Sequence, residues 1–211
     1  EFDVQMQSML DSALELVGAS DGYIALIENG RAMVRYAQGN REMLIGKDLT
    51  TEGGLLAGVL STGMLQYVED YQGYEGRRRG ALWNKQSTAG VLPLKRENKV
   101  VGALSIAWKD NIRQLLTDEI EMLQQFADMA SLALQGAKLR DELSHIAYHD
   151  ILTDFPNRAS LAEKLKQELK KLELGCSGVV FYVDLDDLKG INDNFGHSAG
   201  DRLIITTGEA I

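Results

Sequence analysis

The sequence contains few of the residues that form cross-links or hold metals and pigments. Its 211 residues include one cysteine, Cys176, and three histidines, the first of which is His145. A single cysteine excludes an internal disulfide framework and a cysteine-ligated zinc cage. Because residues 1–144 have neither histidine nor cysteine, we expect no haem, bilin or zinc to be held there.

Basic residues and long apolar runs are also scarce. There are 22 Lys and Arg against 31 Asp and Glu, which gives a net charge of -9. A surplus of negative charge argues against nucleic acid as a partner, because phosphate binding needs cations. No apolar run approaches the roughly 18 residues of a membrane span, and no secretory signal opens the chain. The expectation is a soluble, cytoplasmic protein from a reducing compartment.

The first 108 residues have the pattern of an antiparallel sheet with helices. Apolar spacing predicts a helix over 4–17, and Asn29-Gly30 predicts a hairpin turn between two short strands. A loop and short helix are expected within 39–63, followed by a strand over 64–68. A second hairpin is expected over 90–108. Between these segments, Arg77-Arg78-Arg79 is interpreted as a solvated face of a loop.

One long helix is predicted from Thr117, which can cap it, to about Tyr148. Its apolar residues recur three and four positions apart, and no glycine or proline interrupts them before Gly136. Thirty helical residues span about 45 Å, more than the width of a small domain. The helix could pack on its own sheet, or it could be a stalk that pairs with the same helix of a second chain. Its length favours the stalk.

A change of pattern near residue 148 marks a domain boundary. A helix carrying Leu161, Leu165, Leu169 and Leu172 is followed by a break over 175–178. The apolar run 179–183 then predicts a strand buried on both faces. The run leads into Asp184 and Asp186, whose side chains lie on one face of the strand. Their carboxylate oxygens could bind a Mg²⁺ ion that also carries phosphate. A solvated acidic turn is the alternative interpretation.

Two segments of this second part resemble the GGDEF family of diguanylate cyclases. They are AYHDILTDFPNR at 147–158 and FYVDLDDLKGINDNFGHSAGD at 181–201. Leu188 departs from the family's more usual Phe, and His197 is expected to make a structural hydrogen bond. The resemblance implies that the Asp184 side chain, with the Leu185 carbonyl, binds Mg²⁺, that Asp187, Leu188 and Lys189 meet the triphosphate of GTP, and that Asn192 and Asp201 bind guanine.

Residues 1–140 resemble a GAF domain, a small-ligand and dimerisation module. The resemblance lies in the segments 52–63, 89–108 and 116–134. The expected fold is therefore α+β. A GAF-like antiparallel sheet flanked by helices leads into a helical stalk over 117–148. An incomplete α/β GGDEF domain follows at 147–211, and the sequence ends before the family's signature hairpin. The first residue, Glu1, and a C-terminus within a helical pattern suggest a fragment of a longer protein.

The two resemblances together imply a signalling protein in which a GAF sensor controls a diguanylate cyclase. Such an enzyme joins two GTP molecules into cyclic di-GMP across a homodimer, with Mg²⁺ as cofactor. We expect the dimer to form through helices 4–17 and 117–148, and the 211-residue chain alone to be inactive. Three alternatives remain. The GGDEF domain could bind GTP without catalysing a reaction, or it could regulate a following phosphodiesterase domain. The chain could also act as a GAF binding or dimerisation module, whose ligand the sequence does not identify.

Overall fold

The computed structural model describes residues 2–50, 53–80, 82–84, 87–109, 112–172 and 178–211. The chain divides into two compact units, Glu1–Ala137 and Lys138–Ile211. Cys176 and most of the predicted break at 175–178 lie outside the described residues. Among the helices that the structure describes, none combines the length and apolar character needed to cross a membrane.

The first unit is built on a five-stranded antiparallel sheet, as predicted. Its neighbours are all antiparallel, in the order β2-β1-β5-β4-β3. The Asn29-Gly30 turn has positive φ at both residues, which suits the right-handed twist of a two-residue hairpin. The strands are β1 (Asp21–Glu28), β2 (Arg31–Gln38), β3 (Gln66–Val68), β4 (Thr88–Arg96) and β5 (Lys99–Trp108).

Helices cover both faces of this sheet, which explains why its strands are so apolar. Helices α1 (Phe2–Val17) and α3 (Thr117–Tyr148) bury their apolar sides with Ile24 and its neighbours on one face. Helix α2 (Gly54–Thr62) and a 3₁₀ helix at Gly39–Leu44 pack with Tyr23 and Ala25 on the other. Alternate residues of β1 therefore enter two different cores.

Helix α3 carries two apolar stripes. The buried residues Leu123, Ala127 and Ala130 face the core shared with α1, and the buried Ser131 hydroxyl accepts from the Lys95 N–H of β4. The first half of α3 thus packs on its own sheet, in agreement with the first of the two interpretations of its length. A second set of its apolar side chains is exposed: Met129, Leu132, Leu139, Leu143 and Ile146.

The start of α3 is tied to two other elements. The Tyr67 hydroxyl of β3 donates to the Arg113 carbonyl at 2.6 Å and accepts from the Leu115 N–H at 2.9 Å. The Arg113 guanidinium donates to the Val17 carbonyl at the end of α1, at 2.9 Å. The expectation that Thr117 caps α3 is wrong, because the helix begins at that residue. The Glu119 carboxylate accepts from the preceding Leu116 N–H instead, at 2.9 Å.

The second unit contains helices and no strand among its described residues. The helices of this unit are the end of α3, α4 (Arg158–Leu172), α5 (Leu188–Phe195) and α6 (His197–Glu209). The strand predicted over 179–183 is wrong: the segment is irregular, and Tyr182 is 98% exposed. No described strand of this unit can pair with its backbone or cover its apolar side chains.

The burial of α3 gives a stability prediction. Leu123→Ala should lower the free energy of unfolding by about 3 kcal/mol, because it removes apolar contacts and leaves a cavity at a position that is 1% exposed. Leu16→Ala, on the exposed side of α1, should change it by less than about 0.5 kcal/mol. Urea unfolding followed by tryptophan fluorescence measures both. Equal losses in the two variants would contradict the packing described for α3.

Candidate functional site

Hydrogen bonds within residues 147–157 build a tight turn after α3. The Asp150 carboxylate accepts from the backbone N–H groups of Leu152 and Thr153 at 3.1 and 3.0 Å. The bonds from Thr153 are the main cause of a lowered Asp150 pKa. The Asn157 amide donates to the carbonyls of Ala147 and His149, at 2.9 and 3.2 Å. Asn157 thus satisfies carbonyls at the end of α3, and its Oδ1 atom accepts from the N–H groups of Ala159 and Ser160 at the start of α4.

The residues expected to bind Mg²⁺ and triphosphate lie in sequence where an irregular segment becomes α5. Asp184 and Leu185 end the segment 178–185, and Asp187 precedes the helix with a left-handed backbone, φ 55°. The first turn of α5 contains Leu188 and Lys189, and the side chain of Lys189 is exposed. The first N–H groups of a helix lack partners within it, so they suit an anionic group.

The two residues expected to bind guanine lie at the packing point of α5 and α6. A Cβ atom on Gly200 would come within 2.1 Å of the Asn192 Oδ1 atom, so the absence of a side chain at Gly200 lets the amide fit. This Oδ1 atom is buried and receives no hydrogen bond from the described residues. Asp201 follows Gly200 directly and is exposed. The two predicted guanine ligands are thus on neighbouring turns of packed helices. His197 begins α6 and is exposed.

The two residues expected to bind magnesium fit the ion in kind. The Asp184 carboxylate and Leu185 carbonyl offer the hard oxygens that Mg²⁺ prefers. Asp184, Asp186 and Asp187 do not converge as a three-ligand group in the described structure. One such group does occur among the described residues, formed by His145, His149 and Asp154. Its signal in the sequence is the four-residue spacing of the two histidines near the end of a predicted helix.

Sequence reasoning missed a cluster of buried arginines in the first unit. Arg41 is 2% exposed and lies over the Trp83 ring, 3.9 Å from its centroid. Arg78 is 5% exposed and donates to the carbonyls of Gly53 and Leu49, both at 3.0 Å. The interpretation of Arg77-Arg78-Arg79 as a solvated face is therefore wrong for Arg78. Its guanidinium turns inward because two backbone carbonyls need a donor.

Arg78, Tyr71 and Trp83 of this cluster lie next to residues of both the sheet and α2. Burial lowers the pKa of Arg41 and raises the pKa of Tyr71, whose hydroxyl accepts from the Arg78 N–H at 3.0 Å. A gap of about 10 Å³ remains between the described residues there, too small for an organic ligand. A groove of about 840 Å³ lies outside the cluster, between the 3₁₀ helix and the segment around Leu82 and Trp83.

Comparison with known families agrees with this architecture. The model described as GAF domain matches residues 2–135. The chain belongs to the GAF domain family. A second model, described as diguanylate cyclase, GGDEF domain, matches residues 147–211, so a GGDEF domain follows the GAF domain. The GAF fold is also that of a phosphotransferase GAF domain from Coxiella burnetii, with a TM-score of 0.62 and 13% identity, covering 67% of this chain and 87% of the other.

Curated relatives share parts of the two domains. The uncharacterized protein YtrP of Bacillus subtilis is 29% identical over 146 residues, which cover 65% of this chain and 24% of YtrP. The bifunctional diguanylate cyclase/cyclic di-GMP phosphodiesterase MucR of Pseudomonas aeruginosa is 38% identical over 81 residues, or 38% of this chain and 12% of MucR. The matches with this GAF–GGDEF chain thus cover a quarter or less of the length of these relatives.

The buried arginine of the GAF domain can be tested against its exposed neighbour. Arg78→Met should destabilise the domain by about 2–5 kcal/mol, because it leaves the Gly53 and Leu49 carbonyls without a donor. Arg79→Met removes the same charge at an exposed position and should change stability by less than about 0.5 kcal/mol. Urea unfolding curves of both variants provide the comparison. Similar midpoints would show that Arg78 has no structural role.

Proposed function

We propose that this chain comes from a diguanylate cyclase whose GAF domain regulates its output. The reaction would join two GTP molecules into cyclic di-GMP and release two pyrophosphates. The observation that carries the proposal is the arrangement of the GGDEF residues. Asn192 is held against Gly200 beside Asp201, and Lys189 lies in the first turn of the same short helix as Asn192.

Each predicted ligand has a chemical role in binding GTP. The Asp201 carboxylate can accept from two guanine N–H groups, and the Asn192 amide can supply a further bond. The start of α5, with the Lys189 ammonium, would meet the triphosphate together with the backbone of Asp187 and Leu188. The buried Asn192 Oδ1 atom supports this role, because a polar atom without a donor is costly to bury.

Asp184 and the Leu185 carbonyl would hold Mg²⁺. When bound, the ion neutralises phosphate charge and favours ionisation of the attacking hydroxyl. The described residues provide one carboxylate and one carbonyl in this role, and the resemblance assigns a second metal carboxylate to the family's signature hairpin, which these 211 residues do not contain. Val179 to Val183 also stay exposed beside them. For both reasons we propose that the 211-residue chain has no cyclase activity of its own.

The exposed stripe of α3 supports a homodimer. Met129, Leu132, Leu139, Leu143 and Ile146 occupy the alternating three- and four-residue spacing of a coiled-coil seam, with Gly136 in the remaining position. Each cyclase half-site holds one GTP, so two chains must meet for the reaction. We do not include α1 in this seam, because its apolar residues are buried in its own core: Met6, Leu10, Ala13, Leu14 and Val17.

The dimer prediction concerns this stripe. Sedimentation equilibrium at micromolar concentration should give about twice 23.3 kDa for the chain. Leu139→Asp with Leu143→Asp should shift the species towards the monomer, because it places charge in an apolar seam. Leu161→Asp, at an exposed leucine of α4, is the matched control and should leave the monomer–dimer equilibrium unchanged. A monomer at every concentration would reject the stalk.

The cyclase prediction is tested in the full-length protein that carries this chain. With GTP and Mg²⁺, that protein should form cyclic di-GMP, measured by chromatography, and the 211-residue chain should form none. Asp184→Asn should abolish turnover by weakening metal binding, and Asp201→Ala should raise KM for GTP by at least tenfold. Asp193→Asn, an exposed change within α5, is the control.

Four outcomes would contradict parts of this proposal. Product from the 211-residue chain, or full turnover by Asp184→Asn, would remove the metal-site assignment. GTP binding without turnover in the intact full-length protein would favour the second candidate, a GGDEF domain that regulates a phosphodiesterase. The bifunctional relative MucR supports keeping that candidate. The absence of both binding and turnover would leave the GAF module as the working part.

A further inference from the structure

Three metal-ligating side chains converge where α3 ends. One ligand atom from each of His145, His149 and Asp154 lies within 4.8 Å of the other two. The histidines are four residues apart, so they stand on the same side of the helix. Their imidazole rings stack at 18°, with centroids 4.3 Å apart. Asp154 joins them from the turn after the helix. Two separate segments of the second unit therefore supply one cluster.

The hydrogen bond of His149 leaves a nitrogen available for a metal. Its Nδ1 atom lies 2.8 Å from the Asp154 carbonyl oxygen, which can only accept. Nδ1 must therefore carry the proton, and the neutral ring has its lone pair on Nε2. Metal-binding histidines typically donate their other N–H to a carbonyl or carboxylate in this way, which fixes the tautomer and orients the ring.

The Asp154 carboxylate is positioned by the chain around it. Its Oδ1 atom lies 2.6 Å from the His145 Nε2 atom, and its own N–H donates to the Asp150 carbonyl at 2.9 Å. The residue has a left-handed backbone, φ 59°, within the turn organised by the Asp150 side chain. Protein hydrogen bonds thus bring the donor set together, and the two stacked imidazole rings would tilt to direct both lone pairs at one ion.

We propose that His145, His149 and Asp154 bind one divalent transition-metal ion of the kind that favours imidazole, such as Zn²⁺. Two nitrogens and one carboxylate oxygen suit such an ion, whereas Mg²⁺ and Ca²⁺ take oxygen ligands. Tetrahedral zinc bonds of about 2.0–2.1 Å place ligand atoms about 3.3 Å apart. The His145–Asp154 pair would therefore open by less than about 1 Å, and the ion would replace the proton between them.

The proposed site is separate from the magnesium residues and from the first domain. It uses neither Asp184 nor Leu185, and it lies after residue 144, where the sequence contains its three histidines. The side chains of His145 and Asp154 are 53% and 76% exposed, so water can occupy the fourth position. The inference stands whether or not the GGDEF domain is a cyclase.

Metal titration of the 211-residue chain tests the proposal. The chain is prepared without a histidine tag and with Cys176→Ser, so that the thiol cannot bind the metal. Co²⁺ is added while its visible absorption is recorded, and Zn²⁺ is then used to displace it. We expect about one ion per chain with the spectrum of tetrahedral coordination. His145→Ala and His149→Ala should each weaken binding at least tenfold, and Asp154→Asn should also weaken it.

The third histidine provides the matched control. His197→Ala should leave Co²⁺ affinity unchanged, because His197 lies at the start of α6 and outside the cluster. Far-UV circular dichroism checks that each metal-free variant keeps its helices. If an alanine variant loses its helices, the corresponding glutamine variant, His145→Gln or His149→Gln, is titrated in its place, because glutamine can still form hydrogen bonds. No binding, or equal binding in wild type and both His variants, would overturn the site and leave a hydrogen-bonded helix end.

Discussion

Hydrogen bonding between strands decides which apolar segments of this chain are buried. In the GAF domain, β1 pairs with both β2 and β5, and its alternate side chains enter cores on both faces of the sheet. The segment 179–183 is as apolar as β1, yet no strand pairs with it among the described residues, and its side chains remain exposed. Apolar character alone does not bury a strand, because its N–H and C=O groups also need partners.

Local patterns in the sequence predicted the helices and hairpins, because these elements depend on residues that are close together in the chain. Asn29-Gly30 predicted the first hairpin because both central residues of such a turn need positive φ, which few residue pairs adopt. The spacing of apolar residues predicted the long helix α3, which runs from Thr117 to Tyr148. These signals depend on neighbours in the chain. The strand over 179–183 failed because its prediction assumed partners that a local pattern does not contain.

The candidate sites were less predictable because they depend on contacts between distant residues. Arg41 is buried because the Leu82 carbonyl and the Trp83 ring accept its guanidinium, and both lie about forty residues further along the chain. Charge and periodicity give no sign of this contact. The residues assigned to GTP came from resemblance alone. The structure adds the close fit of Asn192 on Gly200, which no sequence pattern indicates.

The link between Tyr67 and the start of α3 has a mechanical consequence. Tyr67 lies on β3, a three-residue strand at the edge of the sheet, and its hydroxyl bonds both Arg113 and Leu115. An edge strand has one hydrogen-bonded neighbour, so it can shift with less disruption than a central strand. Two hydrogen bonds therefore join a short edge strand of the GAF domain to the segment that leads into its longest helix. A displacement of β3 would therefore pull directly on the backbone that precedes α3.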